Sequence, residues 1–229
     1  MFYEPLGALR DFIQSHLIQI LGIITMDKPE VLDSEHIHTS KQAALDTVVA
    51  VPAEQVVQLV KRGQYKGYRE EVNNADSVTE TFAEINILSN SERWKGVPIK
   101  LTTGKGLDEH KTEVRVVFRG SEKIANNELL FRIQPNEGFE LDLLTKTPGY
   151  SDEVQSTAME FSYKNSFNNN GHPNAYERVL VDAVRGDHTL FATSGEILAS
   201  WRIVQPVLDA WSQSSDDLKF YEQGSAGPE

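Results

Sequence analysis

The chain has 229 residues, no cysteine, and a formal net charge of -12 from 34 acidic and 22 basic side chains. A disulfide framework and a thiolate zinc site are excluded, a reducing cytoplasm is the expected location, and a field of this sign disfavours nucleic acid, whose binding rests on neutralising phosphates. A mean hydropathy of -0.39 and the lack of an apolar run long enough for a bilayer predict a globular chain without a membrane span, with material for a sizeable core.

Residues 2–29 open the chain. Leu6, Leu9, Ile13, Leu17, Ile20 and Ile24 recur at three- and four-residue spacing, which predicts one amphipathic helix. Pro5 and Gly7 stand at its start and Asp27-Lys28-Pro29 closes it. His16 lies on the polar edge, with Asp11 five residues earlier. On an α-helix that offset is about 140°, so the two side chains cannot touch but can reach one ligand from two sides. By itself, a histidine in such a place is ordinarily a solvated side chain.

The acidic passage 30–40 reads as a loop; its Glu35-His36-Ile37-His38 would offer a metal two histidines from an extended segment, but no third ligand accompanies them. Helical pattern runs from Ser40 to Ala44 and again from Pro52 to Arg62, with Val56, Val57 and Val60 on one stripe. Arg62-Gly63-Gln64-Tyr65-Lys66-Gly67-Tyr68 reads as a turn and loop; its glycine spacing is not a dinucleotide fingerprint and no helix is predicted after it.

Alternation then predicts strands at 79–88, 98–103, 113–119, 129–134, 139–144 and 155–163. Between the fourth and fifth, Pro135-Asn136-Glu137-Gly138 is a hairpin turn whose glycine can take positive φ. Between two glycines at a strand end, Lys105 is well placed to reach a ligand, although a solvated turn lysine fits as well; Ile99 and Gly106 exclude a nucleotide P-loop. An asparagine-rich loop follows at 166–174, then a helix at 175–185 with Val179, Leu180 and Ala183 inward. Thr193 and Glu196 form a capping box for a last helix, 194–211, kinked at Pro206, and the tail from Ser212 is expected on the surface. The sum is an α+β fold in one domain, 1–229, with a large, mostly antiparallel sheet backed by helices.

Tyr3-x-Pro5-x-Gly7-x-x-Arg10-Asp11-x-x-Gln14-x-His16-x-x-Gln19, closing on Met26-x-x-Pro29, resembles the signature helix of the glucose-6-phosphate dehydrogenases. RGQYKGY from Arg62, DSVTETFAEI from Asp76, RWKGVP from Arg93, TTGKGL from Thr102, LFRIQPNEG from Leu130, AYERVLVDAVRGDHTLF from Ala175 and ASWRIVQPVLDAW from Ala199 agree in order. The resemblance implies that His16 is the general base in oxidation of glucose 6-phosphate by NADP and that Asp11 accepts from sugar hydroxyls. It makes Lys105 and Gln134 substrate contacts. His110 stands where the family usually has a second Lys or Arg.

The family's Arg-Ile-Asp-His-Tyr-Leu-Gly-Lys motif, whose aspartate orients the base, is not in these residues, nor is a glycine fingerprint for the catalytic NADP. The chain is therefore expected to be the C-terminal piece of an oxidoreductase, self-associating through its sheet as a homodimer or homotetramer. A non-catalytic module that binds sugar phosphate or a partner is the alternative. Some relatives clasp a second, structural NADP. Lys111, Arg115 and Arg132 match that site, but Thr102, Glu140, Asp142 and Ala226 do not, so no structural nucleotide is expected.

Overall fold

The computed structural model describes residues 3–120, 126–167 and 175–229, so most of the predicted asparagine-rich loop lies outside the described residues. The chain divides into two compact units. One gathers the residues up to Asp108 with Tyr176–Glu229, and the other is Glu109–Ala175.

In the first unit the opening helix has two windings. A π-helix, Leu9–Leu17, runs directly into α1 (Ile18–Thr25). Its hydrogen bonds reach back five residues, as from the Ile18 N–H to the Ile13 carbonyl. The looser turn shifts the buried stripe. After Leu9 and Ile13 the next fully buried residue is Ile18, followed by Leu21 and Thr25, whereas Leu6, Leu17, Ile20 and Ile24 are only half-buried.

Helix α2 (Ser34–Asp46) begins inside the predicted loop, because the Asp33 carboxylate accepts from the His36 N–H at 2.9 Å and caps it. His36 and His38 thus lie on a helix rather than an extended segment, and among the described residues no group of three metal-ligating side chains forms. Strand β1 (Val48–Val49) follows, then a 3₁₀ turn, Ala53–Gln55, and α3 (Val56–Leu59). The helix predicted to Arg62 stops there. Val60 opens β2 (Val60–Tyr65), which takes up the first half of RGQYKGY, and α4 (Tyr68–Val72) succeeds it where a loop was expected.

Strand β3 (Phe82–Ser89) pairs antiparallel with β1, β2 and β4 (Ile99–Gly104). The second unit is an antiparallel sheet of β5 (Thr112–Val117), β6 (Glu128–Gln134), β7 (Gly138–Lys146) and β8 (Val154–Ser162), ending in the single turn α5 (Tyr163–Ser166). Among the described residues the strands thus form two sheets rather than one large one, and the pairing is mostly antiparallel as expected.

Cross-strand register gives the second sheet two unlike faces. Val116, Leu129, Leu141 and Met159 lie in one row and Val114, Phe131, Phe139 and Phe161 in the next, whereas Arg115, Leu130, Glu140 and Glu160 form a row on the opposite face. In the β6–β7 turn it is Asn136, at φ 62, that takes the left-handed conformation. Gly138 is needed for a different reason: a Cβ there would stand 2.2 Å from the Phe161 carbonyl oxygen.

Back in the first unit, α6 (Ala175–Arg185) has the predicted bounds, but Val179, Leu180 and Ala183 are exposed rather than inward. Helix α7 (Ser194–Gln213) runs through Pro206. Thr193 Oγ1 accepts the Glu196 N–H at 3.3 Å, which is half of the capping box. The Glu196 side chain turns instead to α2. Strand β9 (Leu218–Tyr221) pairs parallel with β2, so the expected surface tail is a sheet strand, and Tyr221 is buried. It joins Tyr3, Tyr65, Tyr68 and Phe82 in an aromatic cluster separate from the aliphatic core of Leu9, Ile13, Ile18, Ile85, Ile203 and Val204.

Candidate active site

The π-winding changes the geometry of Asp11 and His16. Where hydrogen bonds reach back five residues, side chains five apart follow each other along one face, so the two leave the helix on the same side and the 140° separation does not apply. His16 is exposed and Asp11 half-buried. The His16 ring lies 5.8 Å from that of Phe12 between centroids, and the Ser15 hydroxyl donates to the Asp11 carbonyl.

Three contacts hold this helix from behind. The Ala8 N–H donates to the Glu80 carbonyl at 3.0 Å, the Leu9 N–H donates to Glu80 Oε1 at 3.0 Å, and Gln14 Nε2 donates to Ser200 Oγ on α7 at 2.7 Å. Glu80 is buried, and that burial pushes its carboxyl above the usual range. Gly7 makes room for it: its φ is 71, and a Cβ would lie 2.3 Å from Glu80 Oε1. Position 7 therefore carries two constraints that only glycine meets.

The helix packs against β4, and Lys105 follows the end of that strand. The Lys105 N–H donates to the Thr81 carbonyl at 2.8 Å, and its carbonyl accepts from the Tyr221 hydroxyl at 2.7 Å. Its Nζ lies 3.6 Å from the centroid of the Tyr3 ring. Tyr3 is buried, its hydroxyl donates to the Glu80 carbonyl at 3.2 Å, and burial, then the charges of Glu80 and Asp11, push that phenol up. Lys105 is thus no free turn lysine. Tyr3, Glu80 and Tyr221 are the residues that sequence reasoning missed. Tyr3 heads the signature motif, where the resemblance attached no role to it, Glu80 lies in SVTETF and reads there as an ordinary strand position, and Tyr221 falls in the expected surface tail.

His110 and Gln134 belong to the second unit. Thr112 is the register partner of Gln134, so His110, two residues before it, flanks the same end of the β5–β6 pair; both side chains are exposed. Three basic residues of this unit that the resemblance singled out, Lys111, Arg115 and Arg132, are paired with acids. Arg132 bonds Glu140 at 3.1 Å and Glu160 at 2.6 Å, Arg115 pairs with Glu128, and Lys111 lies 2.5 Å from Glu109. Shallow depressions open beside Arg132 and Glu160 and beside Lys66 and Arg69, but neither is lined by the candidate residues.

No helix among the described residues is long and apolar enough to cross a membrane. The model of the "Glucose-6-phosphate dehydrogenase, C-terminal domain" matches residues 1–229. Glucose-6-phosphate 1-dehydrogenase of Borreliella burgdorferi is 38% identical over 99% of the chain and 51% of its own length. A cytoplasmic relative from Arabidopsis thaliana is 36% identical over 99% of the chain and 45% of its own length. A solved glucose-6-phosphate dehydrogenase in complex with its substrate glucose 6-phosphate superposes with a TM-score of 0.89 at 35% identity, covering 100% of this chain and 49% of that one. The chain spans about half the length of the curated relatives it matches. With its fold, its signature helix and every residue from 1 to 229 covered by one family, the chain belongs to the glucose-6-phosphate dehydrogenase C-terminal domain family.

Proposed function

We propose that this chain is the proton-accepting and sugar-binding half of a glucose-6-phosphate 1-dehydrogenase, acting in the cytoplasm on glucose 6-phosphate with NADP to give 6-phosphogluconolactone. The observation that carries this reading is the π-winding of Leu9–Leu17, from which Asp11 and His16 leave on one side of a helix packed against β4, the strand that Lys105 follows.

Oxidising a sugar hydroxyl requires its proton to leave, and an imidazole titrates close enough to neutrality to receive it. In this assignment His16 is that base, Asp11 accepts a hydrogen bond from the sugar, and Lys105 donates to sugar or phosphate oxygens. By resemblance alone, Gln134 and His110 are assigned as further substrate contacts, with His110 in the place of the more usual cation.

The glycine-bearing segment that opens at Arg62 does not fit the nicotinamide cofactor. The helix after the RGQYKGY segment has five residues, and its first turn carries Glu70 and Glu71, which repel phosphate. We assign the catalytic NADP to residues outside these 229, and the acids beside Lys111, Arg115 and Arg132 argue against a structural nucleotide. The sheet of the second unit is assigned to self-association as a homodimer or homotetramer.

The test is kinetic, in the enzyme that joins this domain to its nucleotide-binding half. His16→Asn should lower kcat by roughly 10² to 10⁴ with little change in KM, as loss of a general base does. Lys105→Ala should raise KM for glucose 6-phosphate far more than it lowers kcat. Equal effects on both constants in both variants would undo the assignment.

A further inference from the structure

We propose that Tyr3 and Tyr221 are positioning residues for the substrate lysine: the Tyr3 ring fixes where the Lys105 ammonium stands, and the Tyr221 hydroxyl fixes the backbone from which it projects. The proposal rests on the assignment of Lys105 to the sugar phosphate and adds what sets its geometry.

Lysine is a flexible four-carbon stem with a rotatable head, so a lysine at a glycine-flanked turn would ordinarily sample many positions. Lys105 is constrained at three points. Its N–H is bound by the Thr81 carbonyl at 2.8 Å, its carbonyl by the Tyr221 hydroxyl at 2.7 Å, and its Nζ sits 3.6 Å over the Tyr3 ring. Tyr221 also lies 2.8 Å from Thr81 Oγ1. A phenol has one proton, and that proton goes to the Lys105 carbonyl, so Thr81 is the donor in this second bond. The tyrosine thereby ties the start of the lysine turn to the segment before β3.

The C-terminal segment clasps the same turn from outside. The Gly224 N–H donates to the Gly106 carbonyl at 2.7 Å and the Asp108 N–H to the Ser225 carbonyl at 3.0 Å. A strand far away in sequence therefore shapes the sugar site without touching sugar.

The Tyr3 contact has a chemical consequence as well. A ring face attracts the ammonium through its quadrupole without accepting any of its hydrogen bonds in ordinary geometry. Among the described residues no carboxylate or carbonyl claims Nζ, so the ring holds the charge while its N–H donors stay available. A carboxylate in the place of Tyr3 would hold it as well but would compete with a phosphate or hydroxyl ligand. Tyr3 itself cannot drift, because the neighbouring Glu4 is bound by the Tyr68 hydroxyl at 2.7 Å and by Asn74 Nδ2 at 3.0 Å.

The experiment compares Tyr3→Leu, Tyr3→Phe, Tyr221→Phe and Lys105→Ala in the complete enzyme, with glucose 6-phosphate as the probe. A cation over a ring contributes enough that Tyr3→Leu should raise KM roughly 2- to 30-fold with kcat within about twofold. Tyr3→Phe, which keeps the ring, should restore the KM, and Tyr221→Phe should raise it with kcat kept. Tyr3→Leu should add little to Lys105→Ala, because the ring then has no ammonium to hold.

If Lys105→Ala leaves KM unchanged, the substrate assignment of Lys105 fails. If Lys105→Ala raises KM but Tyr3→Leu and Tyr221→Phe do not, the positioning role fails and the assignment stands. Because Tyr3→Leu removes a buried ring and can unfold the domain, the contact is also read in the unaltered chain by NMR. The Lys105 ε-methylene protons should be shifted upfield by the ring current, and ordinary lysine shifts there would overturn the proposal.

Discussion

The ion cluster between α2 and α7 gives a sharp test of what holds the helix that carries His16. Glu196 is fully buried, with Oε1 2.8 Å from His38 Nδ1 and Oε2 2.8 Å from Lys41 Nζ; the second is an ion contact without hydrogen-bond alignment. Lys41 is itself only 7% exposed. Glu196→Gln keeps the shape, so it opens no cavity, but it leaves the Lys41 ammonium buried without a counter-charge. Breaking such a pair from one side costs about 3–5 kcal/mol, while replacing both members by apolar residues of similar size is often neutral. The single change should therefore cost about 3 kcal/mol, at the lower end because the amide oxygen still serves one partner. Lys41→Met/Glu196→Leu should recover most of that. Urea unfolding followed by tryptophan fluorescence is the assay, since Trp94, Trp201 and Trp211 all lie in the first unit and report its unfolding alone. A Glu196→Gln loss below about 1 kcal/mol would refute the reasoning, because a pair that is both buried and essential cannot cost so little.

Glu80 predicts a pH dependence. Burial holds its folded-state carboxyl above the ordinary 4.5, so the native chain binds that proton more tightly than the unfolded one. Its contribution is fully present below 4.5 and is lost as pH rises through the raised value. Relative to Glu80→Gln, the unaltered chain should lose stability as pH rises above 4.5, and a difference that is flat or of opposite sign would contradict this. Self-association should be carried by the second unit's sheet, where Phe139 is 41% and Met159 60% exposed; a clean monomer by light scattering at high concentration would count against it. Residues 1–229 alone should show no dehydrogenase activity, since the hydride acceptor must be held within about 3–3.5 Å of the reacting carbon and the sequence carries no glycine fingerprint to hold it. Adding a separately expressed nucleotide-binding half should create activity, and turnover by residues 1–229 alone would falsify that reading.

Much of the sheet structure was legible in the sequence because strand alternation is local. The β6–β7 hairpin and the rows through Leu141 and Phe139 follow from residues that alternate regardless of partners. Other elements depend on distant contacts. The first turns of α2 read as loop because SEHIHTS is polar, and the signal that was present was Asp33, a good N-cap residue. Leu218–Tyr221 read as tail because four residues in a polar stretch become a strand only when β2 lies beside them. The inward face expected for α6 was read from periodicity, which says where apolar residues gather on a helix but not whether anything covers them. His16, Asp11 and Lys105 were found through a motif. Tyr3 stands in that motif without a role attached to it and Tyr221 in the expected surface tail, since an aromatic residue carries no local sign that its ring or hydroxyl holds a lysine.

The π-winding of Leu9–Leu17 ties fold and site together. A nine-residue π-helix is uncommon, and such turns tend to occur at functional sites, so this one must be favoured by contacts from outside the helix. They are found on its buried side. Leu9, Ile13 and Ile18 are all fully buried at spacings of four and five, which an α-helix would spread around its circumference. The Glu80 carboxylate takes up the Leu9 N–H and Ser200 holds Gln14. On the open side, Phe12, Ser15 and His16 are exposed, and the Ser15 hydroxyl bonds only within the helix, to the Asp11 carbonyl. The core thus sets the turn and the turn brings His16 into line with Asp11. Ordinary α-winding would separate the two by about 140°. The geometry of the Asp11 and His16 pair is therefore a consequence of buried residues on the opposite side of the helix.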